Sequence, residues 1–180
     1  MDYRLSSALS FSLNYTYMNA IGNSSDPRET ANRAAAGEDP RPRQVPFDWD
    51  QRHTLNVAAT LHEQNDYVVT AILRYGNGSP YTPSIGSGFG ASLERNSSLK
   101  PTWAIVDLNA EKYFAVDPVE LSVFVRVFNL LDTRYANGFV FSSTGSPFYS
   151  LTSAADAEAL INPGRFAQPR RIEVGVRIQL

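Results

Sequence analysis

Asp48, Asp50, Arg52 and His53 place two carboxylates, a guanidinium and an imidazole within one short stretch of the chain. Such groups are the raw material of general acid–base catalysis. The rest of the sequence supplies no cysteine, no nucleophile motif and no glycine-rich phosphate loop. The cluster therefore reads as hydrogen bonding at the start of a strand, and no enzyme activity is expected. His53 and His62 are the only histidines. On one strand they would point to opposite faces about 30 Å apart, so neither a shared metal nor any cofactor is expected.

Two other groups of residues are suited to contact rather than reaction. Arg41 and Arg43 lie in Asp39-Pro40-Arg41-Pro42-Arg43, and Tyr81, Phe89, Phe139, Phe141, Phe148 and Tyr149 lie in glycine- and serine-rich stretches. Binding residues concentrate on loops held by a rigid scaffold, so these are candidate ligand contacts. Arg74, Asp107, Glu111, Arg126, Arg171, Glu173 and Arg177 are placed differently, as charges set singly into apolar, alternating segments.

Those alternating segments are the elements that must position everything else. Leu5, Leu9, Phe11, Leu13, Tyr15 and Tyr17 alternate with Arg4, Ser6, Ser10, Ser12, Asn14 and Thr16, which predicts a strand over about residues 3–19. The same pattern predicts strands over about 51–61, 67–75, 103–114, 119–128 and 170–180. Their connections run long, short, long, short, long. Residues 21–49, 76–100 and 132–168 are rich in Gly, Pro, Asn, Asp and Ser, whereas 62–66 and 116–118 are tight polar turns. Short helices are predicted within the long connections, over 28–36 and 153–161.

Keeping every long loop on one edge of a sheet is the habit of outer-membrane barrels, with short periplasmic turns and long extracellular loops. The predicted strands reach the roughly 9 to 11 residues that cross a bilayer at a tilt, and the first, over about residues 3–19, exceeds them and would project beyond the lipid. Composition agrees: of 180 residues, 43% are hydrophobic and 19% charged, and the formal net charge of -2 gives no reason to expect nucleic-acid binding. No window is apolar enough for a transmembrane helix, and Met1-Asp2-Tyr3-Arg4 lacks the apolar core of a signal peptide, so if the protein is exported its signal is expected upstream.

Energy then assigns the faces. An Arg or Lys on the lipid face near the bilayer midplane of a barrel costs roughly 2 to 4 kcal/mol, which sends Arg74, Arg126, Arg171, Glu173 and Arg177 to the lumen. Asp107 and Glu111 join them as candidate lumen residues, with cross-strand ion pairing as their expected role. The aliphatic sets face lipid, and Tyr15, Tyr17, Tyr67, Tyr75 and Phe114 are placed as an aromatic girdle. Lys112 is the exception, because it shares a face with Val106, Leu108 and Phe114; close to a short turn it is expected to snorkel into headgroups.

Several motifs carry a family resemblance. Pro46-Phe47-Asp48-Trp49-Asp50-Gln51-Arg52-His53-Thr54-Leu55-Asn56 resembles the opening of a late barrel strand in TonB-dependent receptors, particularly the Oar-like branch. Arg74-Tyr75-Gly76-Asn77-Gly78-Ser79-Pro80-Tyr81-Thr82-Pro83 is similar to the next strand and its loop. Val106-Asp107-Leu108-Asn109-Ala110-Glu111-Lys112 and Val127-Phe128-Asn129-Leu130-Leu131-Asp132-Thr133-Arg134-Tyr135 resemble the closing hairpin, and Pro169-Arg170-Arg171-Ile172-Glu173-Val174-Gly175-Val176-Arg177 the final strand.

The resemblance implies an all-β chain, an antiparallel up-and-down transmembrane β-barrel segment of about six long strands with three long extracellular loops. It would be the C-terminal part of a barrel of about twenty-two strands, with the plug domain, the earlier strands and the TonB-contacting box outside this sequence. Expected partners are outer-membrane lipid, the plug and remaining strands, the TonB complex through the N-terminal region, and the barrel-assembly machinery through the last strand. The family usually ends on an aromatic residue where this chain has Leu180. The implied setting is the bacterial outer membrane, and the implied role is energised uptake of a nutrient whose identity the sequence leaves open. A passive porin-like barrel and a soluble secreted β-sandwich used for adhesion are the alternatives.

Overall fold

A computed structural model of the chain describes residues 2–4, 6–24, 26–41, 43–84, 94–116, 118–136, 138–151 and 163–179. Alternation of β-branched and aromatic residues with short polar ones yields long strands wherever it was predicted. These are β2 (Leu9–Tyr17), β5 (His53–Glu63), β6 (Tyr67–Gly76), β9 (Trp103–Val116), β10 (Val119–Phe128) and β11 (Arg171–Gln179). With the short β1 (Asp2–Arg4) they form one antiparallel sheet in the order β1-β2-β5-β6-β9-β10-β11. Every neighbour is the next long strand in sequence, so the sheet is an up-and-down meander. It is open, with β1 and β11 at its edges, and is not a closed barrel.

The N-terminal end departs from expectation. In place of one strand over residues 3–19, the chain folds back on itself, and β1 pairs with β2 through Asp2↔Ser12, Tyr3↔Phe11 and Arg4↔Ser10. Ser6 makes the turn. Its Oγ accepts from the backbone N–H groups of Ala8 at 3.2 Å and Leu9 at 3.0 Å, while its own N–H donates to the Leu9 carbonyl. A serine offering the backbone these local partners competes directly with the strand ladder.

All connections at one edge are short: residues 5–8, Gln64 to Asp66, and 117–118. At the opposite edge lie the long ones, residues 18–52, 77–102 and 129–170. Each long connection begins as a small extension of the sheet or a tight clamp. β3 (Ile21–Gly22) pairs with β4 (Val45–Pro46), and β7 (Pro80–Tyr81) with β8 (Ser98–Leu99). Helix α1 (Glu29–Ala35) sits in the first connection, close to the predicted 28–36, and buries no residue. Acidic Glu29 opens it and basic Arg33 closes it, both favourable to the helix dipole, and Gly37 follows at φ 73°. The predicted helix over 153–161, Phe89 and Leu180 fall outside the described residues.

Register decides the two faces, because directly paired residues of an antiparallel sheet lie on the same side. Pairs such as Leu13↔Val57, Val57↔Leu73 and Leu73↔Val106 run one apolar row across four strands. A second row runs Leu9↔Leu61, Leu61↔Val69, Val69↔Ala110, Ala110↔Val125 and Val125↔Val174. The face is continuous and uncovered. Ile172, Val174, Val176 and Ile178 are between 60% and 69% exposed, and among the described residues only Val45, Val127 and Phe141 are buried apolar side chains. The extensive contacts between elements all join hydrogen-bonded neighbours, so among the described residues no second layer packs on this sheet.

One glycine is required by close approach. A Cβ at Gly78 would overlap the Lys100 carbonyl, where the two arms of the second long connection cross. Gly78→Ala should loosen that crossing by about 1–3 kcal/mol, the usual cost of overpacking, read as faster protease cleavage within residues 77–102.

Candidate functional site

The face opposite the apolar one collects the charges. From Asn56↔Arg74, Ile72↔Asp107, Asn109↔Arg126, Ser122↔Arg177 and Arg126↔Glu173, the register puts Arg74, Asp107, Glu111, Arg126, Arg171, Glu173 and Arg177 on a single side, in company with Ser10, Ser12, Asn14, Thr16, Thr60 and Thr70. Thr60 and Thr70 join by their hydroxyls across β5 and β6 at 3.1 Å.

Most of these charges are paired across strands. Arg74 donates to Asp107 between β6 and β9. Arg177 Nη1 donates to Glu111 Oε1 at 3.0 Å, reaching across β10, and Ser122 Oγ from the intervening strand donates to the same oxygen at 2.7 Å. Arg171 and Glu173 pair along β11 at 3.2 Å. Arg126 behaves differently: its guanidinium lies 4.7 Å from the Phe124 ring centroid, stacked rather than ion-paired. Lys112 is on the apolar face, as its neighbours required, and its ammonium reaches the Asp66 carboxylate in the short turn. That contact takes the charge off the apolar surface to its edge.

Asp48, Asp50, Arg52 and His53 are divided among structural partners. Asp50 is 1% exposed; its carboxylate accepts from Ala20 N–H at 2.8 Å and from Arg52 Nε at 3.2 Å, locking the exit of β2 to the start of β5. Asp48 accepts from Asn96 Nδ2 at 2.7 Å. His53 turns to the other face, where its Nδ1 meets the Tyr15 hydroxyl at 2.7 Å. His62, an odd number of residues along β5, is on the opposite side of the sheet. Asp50→Ala should leave Ala20 N–H and the Arg52 guanidinium without their acceptor, a cost of about 1–3 kcal/mol seen as early proteolysis of residues 18–52.

Three asparagines do work that the sequence did not announce. Asn77 Oδ1 accepts from His53 N–H at 2.8 Å, and Asn77 N–H donates to the His53 carbonyl at 3.1 Å, closing the β5–β6 end. Asn96 Nδ2 donates to the Pro46 carbonyl at 2.8 Å, so the second long connection grips the first. Asn129 is 4% exposed and sits at φ 52°. Its side chain donates to the carbonyls of Thr133 at 3.1 Å and Gln168 at 3.0 Å and accepts from Thr133 N–H at 2.9 Å, while its own N–H donates to Asp107 Oδ1 at 2.9 Å. Asp132, at φ 51°, accepts Arg170 N–H at 2.8 Å. Both arms of the third connection are thus tied to one residue pair. An Asn followed three positions later by Asp was the available signal, since both tolerate the left-handed region.

The candidate loop contacts separate into held and open groups. Arg41 and Arg43 both serve Asp39, with Arg41 Nη2 2.7 Å from Oδ2. The Arg41 side-chain and backbone hydrogen bonds hold the Asp39 carboxyl below its usual range, and Asp39 in turn raises the Arg41 guanidinium. Phe141 is 5% exposed and packs edge-on against Phe139 at 5.0 Å, so it serves as loop core and not as a contact surface. Tyr81 lies against Gly145, and Ser84 binds Ser142 both through its backbone N–H, at 3.0 Å, and through its hydroxyl, at 2.7 Å, which fastens the second long connection to the third. Tyr149 remains open at 56% exposure.

The connections therefore form one linked cap at a single edge of the sheet, over a paired polar face on one side and an uncovered apolar face on the other. Comparison with protein-family models, with curated proteins and with solved structures finds no match to the chain.

Proposed function

We propose that the chain is a wall segment of a transmembrane β-barrel in a bacterial outer membrane, and that it belongs to a receptor for TonB-energised nutrient uptake. The observation that carries the membrane reading is the continuous apolar face on which, among the described residues, no second layer packs. In water such a surface demands a second layer, whereas in a bilayer lipid supplies it.

Dimensions support the same reading. Strands of 9, 11, 10, 14, 10 and 9 residues meet or exceed the length needed to cross. On that face Tyr15 and Tyr75 lie toward the long-loop edge and Tyr67 and Phe114 toward the short-turn edge. Tyr67 and Tyr75 are separated by about 27 Å along β6 at about 3.4 Å per residue, which at a strand tilt of about 40° spans about 21 Å of an apolar band about 25 Å tall between aromatic girdles. The paired charges then face the lumen, and the linked cap faces outward.

The receptor assignment rests on the resemblance of the strand-end motifs and on the order in which they occur. Plug, motor contact and remaining strands lie in other parts of such a protein, and this segment contributes wall, lumen charge and outer loops. Cell fractionation tests the location: the protein carrying this chain should sediment with outer membranes and migrate faster on gels before boiling than after. Recovery as a soluble, detergent-free monomer would rule the reading out. A passive porin would fractionate alike but would show no dependence of uptake on the proton motive force.

A further inference from the structure

We infer that the base of the third long connection is a binding site for a small ligand that joins a carboxylate or phosphate to a flat apolar ring. The site is a recess of about 380 Å³ lined by Asp132, Thr133, Arg134, Phe166, Ala167 and the flanking prolines 163 and 169. That volume is in the range of small-molecule pockets. Its position is independent of whether the sheet stands in a membrane.

Arg134 supplies the recognition chemistry. Its guanidinium lies 4.5 Å from the Phe166 ring centroid and 5.9 Å from that of Phe148, and the two rings are themselves stacked at 5.5 Å. The guanidinium rests against the Phe166 ring, beside Phe148, and its N–H groups are the part that grips carboxylate or phosphate in bidentate fashion. Among the described residues Arg134 has no carboxylate partner, in contrast to Arg41, Arg52, Arg74, Arg95, Arg171 and Arg177. The nearest acid in the lining, Asp132, already receives Arg170 N–H at 2.8 Å.

The walls are preformed. Ala136 bridges to Phe166, Ala167 N–H donates to the Tyr135 carbonyl at 2.9 Å, and the Asn129 side chain ties Thr133 to Gln168. Phe166, Ala167 and the two prolines offer an apolar floor for a ring, and Arg134 meets the anionic end. A ligand entering this recess meets a site that needs little ordering, which favours affinity.

Trp103 stacks on Tyr135 at 5.4 Å, one residue from Arg134, and provides the reporter. Benzoate, phenyl phosphate and neutral benzamide are titrated into the folded protein by Trp fluorescence, with inorganic phosphate as the ring-free anion. Both ring-bearing anions should bind, and benzamide and inorganic phosphate should each bind about tenfold more weakly or worse. Arg134→Gln should lose about tenfold or more toward benzoate, and Arg134→Lys, which keeps the charge without the fork, should fall between. Proteolysis of residues 129–170 checks that each variant keeps its loop; where Arg134→Gln does not, the Arg134→Lys result decides. Equal binding of benzoate and benzamide, undiminished benzoate binding in the intact-loop variant, or no binding of either ring-bearing anion would overturn the assignment.

Discussion

Leu73→Arg should block assembly of the sheet into a membrane, while Ile72→Arg one position away should be tolerated. Leu73 lies on the apolar face in the middle of β6, between Val57 and Val106, whereas Ile72 lies on the polar face opposite Asp107. A cation at the lipid-facing midplane costs about 2–4 kcal/mol, a large share of the 5–15 kcal/mol by which proteins are typically stable. On the polar face the added guanidinium meets water and the neighbouring carboxylate. Heat-modifiable migration of the two variants measures the difference. Were both variants to assemble equally well, the odd-numbered side of β6 would not be facing hydrocarbon.

Asn129→Ala should be the most damaging change among the loop residues. It strips the acceptor from Thr133 N–H and the donors from the Thr133 and Gln168 carbonyls, and it puts a residue with a Cβ but no local hydrogen bond at φ 52°. Losing each of these three part-buried hydrogen bonds costs about 0.5–1.5 kcal/mol, and the left-handed backbone adds about 1–2 kcal/mol for alanine, so a net loss of about 3 kcal/mol or more is expected. Asn129→Gly relieves only the backbone part and should recover only that fraction. Hydrogen exchange at residues 130–135 and 166–170 reads the outcome directly. Both variants should lose protection there and keep it in β5 and β6.

How far these features were legible in the sequence varied with the range of the interactions involved. The strands β9, β10 and β11 were readable almost to their ends, because alternation is a local pattern and the charges within it, Lys112 apart, are out of phase with the aliphatic set. The same pattern misled at the N-terminus. Leu5 and Leu9 keep the period, yet Ser6 diverts the backbone hydrogen bonds of Ala8 and Leu9 to its own side chain. Alternation has no term for a turn that preserves phase.

The paired charges were predictable as a face, since phase alone places them, but their partners depended on register. Arg177 meets Glu111 two strands away, and Arg126 finds a ring where a carboxylate was expected. The loop clamps were least legible of all. Asn96 gains its role from the Pro46 carbonyl and Asn77 from the backbone of His53, partners that no local spacing announces. Arg134 was visible only as part of a strand-end motif; its stacking on Phe166 required the third connection to return beside its own start.

One face of this sheet is expected to meet lipid and the other water. The chain has no cysteine, so single cysteines introduced along β6 give an unambiguous scan. In the membrane-assembled protein, cysteines at 67, 69, 71, 73 and 75 should resist a water-soluble maleimide and be quenched by brominated lipid when labelled, while those at 68, 70, 72 and 74 should react and escape quenching. A scan without this alternation, with both sets equally open to water, would contradict the account.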